Sequence, residues 1–199
     1  MIAIALRKGD MGKAASGYAD LQRTIAVADP CLRARKCMLV PMRETKLDPK
    51  NPQSPADSGG NGANRGCCKG QTGHHLIPGA YFKNSNCRGY KYNNAPVVCS
   101  EGPYGEASGG SHNALHKNLK NAVQGYADKV TKKIPYEDAR DAAVTSHVKS
   151  FPLSGCSQDC IKSQLDKYHK DRAKCKNGSS LKATEKIDDD RNPKSPKIL

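Results

Sequence analysis

Apolar residues recur at intervals of three and four from Lys13 to Ala28, where Ala14, Ala15, Tyr18, Leu21, Ile25 and Ala28 would share one face of an amphipathic helix. Asp29-Pro30 would end it, because the residue before a proline is pushed out of the helical region. Cys31 to Met42, with its apolar Cys37-Met38-Leu39-Val40 centre, predicts a short strand or packed turn. From Arg43 to Arg65 the chain is almost wholly Pro, Gly, Asn, Asp, Ser and Lys, too polar to offset its ordering entropy, so a long exposed loop is expected. Thr72 to Ile77 predicts a first strand turned out by Pro78-Gly79. Ala95 to Cys99, with β-branched Val97 and Val98, predicts a second. After a glycine-rich turn from Glu101 to Gly110, Ser111 can cap a helix running from His112 to about Val130. Its apolar stripe is Leu115, Leu119, Ala122, Val123 and Tyr126. Pro135 opens a supporting helix, Tyr136 to Val148, and a third helix is expected around Ser157 to Lys174. Lys176 to Leu199 is polar and low in aromatics, which predicts a disordered tail.

Composition tightens this picture. The 199 residues allow one domain of ordinary size, but 36% hydrophobic residues, two Phe and no Trp predict a small core that needs other constraints. Nine cysteines could supply them, as disulfide staples or as a structural zinc site, although the tight C-x-x-C spacing of zinc sites is missing. Staples suit a loop-rich small core better. An odd count leaves at least one thiol unpaired in a fully oxidised monomer.

A formal net charge of +14 sets up a positive field that favours polyanions, with nucleic acid the first partner to consider and a generally basic soluble protein the plain alternative. Arg88 and Lys91 interleave with Tyr90 and Tyr92, a composition suited to stacking on bases or, equally, to capping a small core. No apolar run reaches the roughly 18 residues that cross a bilayer. The opening Met1 to Leu6 is too short and is closed by Arg7, Lys8 and Asp10 without a signal-peptide cleavage site, so conventional export is not expected.

Four of the six histidines fall in two short stretches, Gly73-His74-His75 and Ser111-His112-Asn113-Ala114-Leu115-His116. Neighbours on a strand point to opposite faces, so one of His74 and His75 must be placed for chemistry or exposed. His112 and His116, four apart on a helix, present both rings to one face and make half of a metal site. The positive end of the helix dipole favours their neutral, metal-binding form. His147 and His169 are expected in packing or at the surface.

Together, Cys67-Cys68-Lys69-Gly70-Gln71-Thr72-Gly73-His74-His75-Leu76-Ile77-Pro78, then Ala95-Pro96-Val97-Val98-Cys99 and Gly110-Ser111-His112, resemble the HNH and endonuclease VII-like nucleases, built on a ββα-metal motif. More narrowly they look like the GHH branch of bacterial polymorphic toxins found at the C-terminus of type VI secretion effectors. The resemblance covers about Cys31 to Ile161. It implies an α+β fold, a small ββα-metal core elaborated with helices and long loops. Residues 1–30 would form an N-terminal helical segment or remnant of an upstream module, 31–175 the nuclease toxin domain, and 176–199 a disordered basic tail.

By the same resemblance His74 corresponds to a metal ligand, His75 to the general base, and His112 and His116 to the two helical ligands of the nuclease colicins. The segment between His75 and His112 is longer than in the compact motif, which leaves open which of His112, His116 and a nearby carboxylate such as Glu101 completes the site. The asparagine that braces the base-bearing loop is Asn93 or Asn94. The implied activity is a metal-dependent endonuclease, a DNase toxin acting in the cytoplasm of a competitor bacterium after contact-dependent secretion. One divalent ion is implied, zinc, magnesium, manganese or nickel. DNA, a cognate immunity protein of acidic surface and delivery components on an absent module are the implied partners, with no membrane. Two rivals remain: a Cys/His-rich, zinc-stabilised nucleic-acid-binding module without catalysis, and a thiol-dependent hydrolase using Cys68 or Cys99.

Overall fold

Proline is tolerated at the first helical position, where its missing N–H costs nothing. In the computed structural model, which describes residues 7, 17, 21, 24, 29–45, 67, 71–102 and 110–183, Pro30 opens a helix instead of only closing one. This helix, α1, is Pro30–Cys37, so the strand or turn expected from Cys31 is corrected to a helix followed by the two-residue strand β1, Val40–Pro41. The Gln164 side chain closes its end, accepting from Leu39 N (2.8 Å) and donating to the Cys37 carbonyl (2.8 Å). A 3-10 turn, Met42–Thr45, follows. The helix expected over Lys13 to Ala28 lies outside the described residues, apart from Gly17, Leu21 and Thr24, which are helical. The loop expected over Arg43 to Arg65 lies outside them from position 46 to 65.

Strand β2 is Gln71–His75 and β3 is Pro96–Glu101. They pair antiparallel in a three-stranded sheet of order β1-β3-β2, with Thr72 opposite Ser100, His74 opposite Val98 and His75 opposite Val97. Leu76 and Ile77 have left the strand and are buried in the core, ahead of the 3-10 turn Gly79–Phe82. Glu101, expected in a turn, ends β3.

Helix α2, Gly110–Val123, completes the ββα order. It stops seven residues short of the expected Val130, because the Asp128 carboxylate accepts from Val130 N (3.0 Å), Thr131 N (2.6 Å) and Thr131 Oγ1 (2.8 Å) and so fixes a turn. Tyr126 and Val130 are consequently exposed, while Leu115, Leu119 and Val123 keep the expected buried stripe.

Strand β4, Lys133–Pro135, leads into α3, Tyr136–Ser150, which lies along α2 and is tied to it by Ser146 Oγ donating to the Leu115 carbonyl (2.9 Å). Helix α4, Gln158–His169, is capped by Ser157, whose hydroxyl accepts from Cys160 N. It ends earlier than the expected Lys174, and Lys174 takes a left-handed φ of 59° where the chain turns back. The tail expected from Lys176 is ordered at its start: Ser180–Lys182 forms β5, antiparallel to β4, with Leu181 opposite Ile134 and both buried. Residues 184–199 lie outside the described set.

The core joins Leu76, Ile77, Val98, Leu115, Leu119, Ile134, Ile161, Leu165 and Leu181. Among the described residues three disulfides fasten it, Cys37–Cys156, Cys67–Cys99 and Cys87–Cys175, while Cys160 is exposed and outside any bridge. The architecture is therefore α+β. Among the described residues no helix is long and apolar enough to cross a membrane.

A candidate metal centre of three histidines

Alternation along β2 puts Thr72 and His74 on one face, Gly73 and His75 on the other. Position 73 has no room for a side chain, since a Cβ there would sit 2.5 Å from Thr45 Oγ1 in the turn that covers the strand. The first two turns of α2 lie over the face that carries His74. There His74, His112 and His116 converge, all buried, each offering a ring nitrogen within 4.8 Å of the others. The His74 ring meets His112 and His116 edge-on, with centroids 4.7 and 4.6 Å away.

Burial first, then the neighbouring His112, His116 and His75, hold the His74 imidazolium well below the ordinary histidine range. Burial and His116 push His112 down to about 3. Both rings are therefore neutral at neutral pH and carry lone pairs for a metal. His74 Nε2 is buried with no hydrogen-bond partner. Such an orphaned atom costs about 1–3 kcal/mol, and beside two further imidazoles it is suited to ligating a divalent ion, so the donor set fits a metal.

His75 points away from this cluster, yet it too is buried, so exposure is not what separates the pair. Its Nε2 lies 3.2 Å from the Tyr92 carbonyl and its ring 4.4 Å from the Tyr92 ring. Tyr92–Asn94 is a 3-10 turn. Asn94 Oδ1 accepts from Arg43 Nη1 (2.9 Å) and so ties this turn to the one after β1, whereas Asn93 is exposed.

Glu101 is not among the three converging groups. Its carboxylate pairs with Lys36 and accepts from Gln71 Nε2 (2.7 Å) and from the Ser111 hydroxyl, while Glu101 N donates back to Ser111 Oγ (2.8 Å). Burial would raise this carboxyl, but the Lys36 ammonium and the hydrogen bonds from Lys36, Ser111 and Gln71 together hold it below its ordinary range. Lys36 Nζ also donates to the Cys99 carbonyl (2.8 Å). These contacts fasten α1 to the end of β3 and β3 to the start of α2, just where His112 begins.

Sequence reasoning passed over Lys36, Thr72 and Ser100, and it gave Tyr92 to base stacking or core capping with no link to His75. The period-two relation of Thr72 to His74 was a usable signal; Lys36 had none. The second tyrosine reading is favoured in the 83–92 excursion: Tyr90 stacks on Phe82 (4.1 Å) and Tyr92 packs on His75, while Lys83, Arg88 and Lys91 stay exposed. Cys99 is held in a disulfide, which removes it as a nucleophile, and Cys68 lies outside the described residues. The six bridged cysteines are likewise withdrawn from thiolate zinc binding.

The sequence model of a family described as GHH signature containing HNH/Endo VII superfamily nuclease toxin 2 matches residues 69–169. A relative, the DNase toxin Tse7 of Pseudomonas aeruginosa, is 30% identical over 180 residues, covering 80% of this chain and 41% of the relative. The chain thus spans about two fifths of that protein's length. No solved structure matches it.

Proposed function

This chain belongs to the GHH-signature nuclease toxins of the HNH/Endo VII superfamily, and from that premise we propose that it is a metal-dependent endonuclease that hydrolyses DNA phosphodiesters. The observation that carries the reading is the convergence of His74, His112 and His116 with His75 aimed elsewhere on the same strand. In it the three buried imidazoles hold one divalent ion. When bound, that ion supplies positive charge for the phosphate oxygens, which otherwise repel a nucleophile.

His75 is the general base. The Tyr92 carbonyl can only accept, so His75 Nε2 carries the proton that faces it and Nδ1 keeps a lone pair. Nδ1 takes the proton of the attacking water as the new O–P bond forms and the bond from phosphorus to the departing sugar oxygen breaks, that oxygen taking its proton from solvent. Tyr92 orients the ring through its carbonyl. Nitrogen donors suit zinc or nickel by softness, and magnesium or manganese are the hard alternatives.

DNA is the substrate by analogy with the relative's name, and the +14 charge gives a field that draws polyanions to the protein. The partners are a cognate immunity protein with an acidic surface and the components of a contact-dependent secretion system, with action in the cytoplasm of the recipient bacterium. The toxin domain runs from residue 31 and takes in β5.

Purified full chain incubated with plasmid and with RNA, with and without chelator, tests the proposal. DNA cleavage lost on chelation is expected. His75→Ala should abolish cleavage and keep metal binding, and His74→Ala should weaken metal binding. Chelator-resistant cleavage, or wild-type degradation by both variants, rejects the assignment.

A further inference from the structure

Two hydroxyls stand against Nδ1 of His112, Thr72 Oγ1 at 2.9 Å and Ser100 Oγ at 3.3 Å. They are a cross-strand pair, facing each other in the β2–β3 register beneath the first turn of α2. Each hydroxyl has one proton to give. Thr72 Oγ1 lies 2.9 Å from the Gly102 carbonyl and Ser100 Oγ 3.2 Å from the Thr72 carbonyl, and a carbonyl can only accept.

The two tautomers of His112 differ in how many of these bonds they allow. With a proton on Nδ1, all three protons have acceptors: both hydroxyl protons go to carbonyls, and the imidazole proton goes to the hydroxyl oxygens. With Nδ1 bare, one hydroxyl must turn its proton onto the ring, and its carbonyl loses that donor. In this buried place the lost bond is not replaced by bulk water. Free neutral histidine prefers its proton on Nε2, so the environment has to reverse an intrinsic preference.

We infer that Thr72 and Ser100 are positioning residues that lock His112 as the Nδ1–H tautomer and thereby keep its Nε2 lone pair available to a metal. The inference rests on the reading of His112 as a ligand. It adds a division of labour to β2: the strand that contributes His74 also contributes, two residues earlier on the same face, the hydroxyl that sets the tautomer of His112. A hydrogen bond from the ring's second nitrogen also raises the basicity of the ligating one, and losing such a partner typically weakens metal affinity roughly 10- to 100-fold.

Long-range proton–nitrogen correlation spectra of the metal-free full chain read the tautomer directly, with His112→Gln used to assign the signals. A proton on Nδ1 of His112 is expected at neutral pH. In Thr72→Val combined with Ser100→Ala that signature should disappear, and zinc affinity should fall roughly 10- to 100-fold. Thr72→Ser, which keeps the hydroxyl, should retain both properties, and Thr72→Val alone serves if the double variant does not fold. A wild-type His112 protonated on Nε2, or a folded double variant with unchanged tautomer and zinc affinity, overturns the inference. If neither wild type nor His74→Ala takes up zinc, the ligand reading is what has failed, and the spectrum of the metal-free protein still decides the tautomer.

Discussion

Four histidines are driven toward the neutral form chiefly by burial: His74, His112, His147 and His169. His169 is pushed down to about 4, stacked 5.0 Å from Phe82, with Nδ1 donating to the Leu165 carbonyl (2.9 Å). In the unfolded chain each would protonate near pH 6.5, so below that the unfolded state binds more protons and is favoured. The histidine-linked part of the metal-free protein's stability is therefore full above about pH 6.5, declines progressively below it, and is wholly lost once the pH has fallen to the folded-state values. Urea unfolding between pH 7 and 4.5 should show this decline, and His169→Phe should flatten it by up to about 1.4 kcal/mol per pH unit. An unaltered slope in that variant would count against it. At this scale the His74-His75 dipeptide and the spacing of His112 and His116 were legible, because one reports strand alternation and the other helical pitch. For His169 the sequence leaves packing and surface as alternatives, because the rings that enclose it, Phe82, Tyr90 and Tyr136, lie far from it along the chain.

The elements that carry the site are held by a buried ion pair. Lys36 is 4% and Glu101 2% exposed, and both would be expensive to bury unpaired. Lys36→Met leaves Glu101 charged in the interior and should destabilise the protein by about 3–5 kcal/mol. Adding Glu101→Gln, which is neutral and retains oxygen and nitrogen for Ser111 and Gln71, should recover most of that loss. Denaturant titration of the two variants checks this, and a double variant no more stable than Lys36→Met sinks it. The order strand, strand, helix was readable from β-branched runs and from the stripe of Leu115, Leu119 and Val123. Element ends were less so. Val130 continues the apolar spacing on paper, but Asp128 gathers three donors into a turn and stops α2 first. Pro30 stops a preceding helix by its effect on Asp29, but a proline equally suits a helix start.

Across the whole molecule, the bridges close loops of 119, 32 and 88 residues. By loop-closure entropy a single bridge contributes just under about 4 kcal/mol for the shortest loop and nearly 5 for the longest, a large share of what so lean a core can hold. Opening them with a thiol reductant should lower the urea midpoint sharply and weaken metal binding, since Cys99 anchors the strand that carries Ser100 and Glu101. An unchanged midpoint with all three bridges verified open would refute this. Composition and near neighbours along the chain account for two histidine pairs with strand and helix spacing, the ββα order, and a charge suited to polyanions. Tertiary structure decided which cysteines meet, that Glu101 answers Lys36 and stands apart from the histidine cluster, that Leu181 returns to pair beside Ile134, and which atoms face His112. Those are contacts between residues far apart along the chain. Local spacing carries no record of them, because they are fixed only when strand register and helix packing bring the segments together.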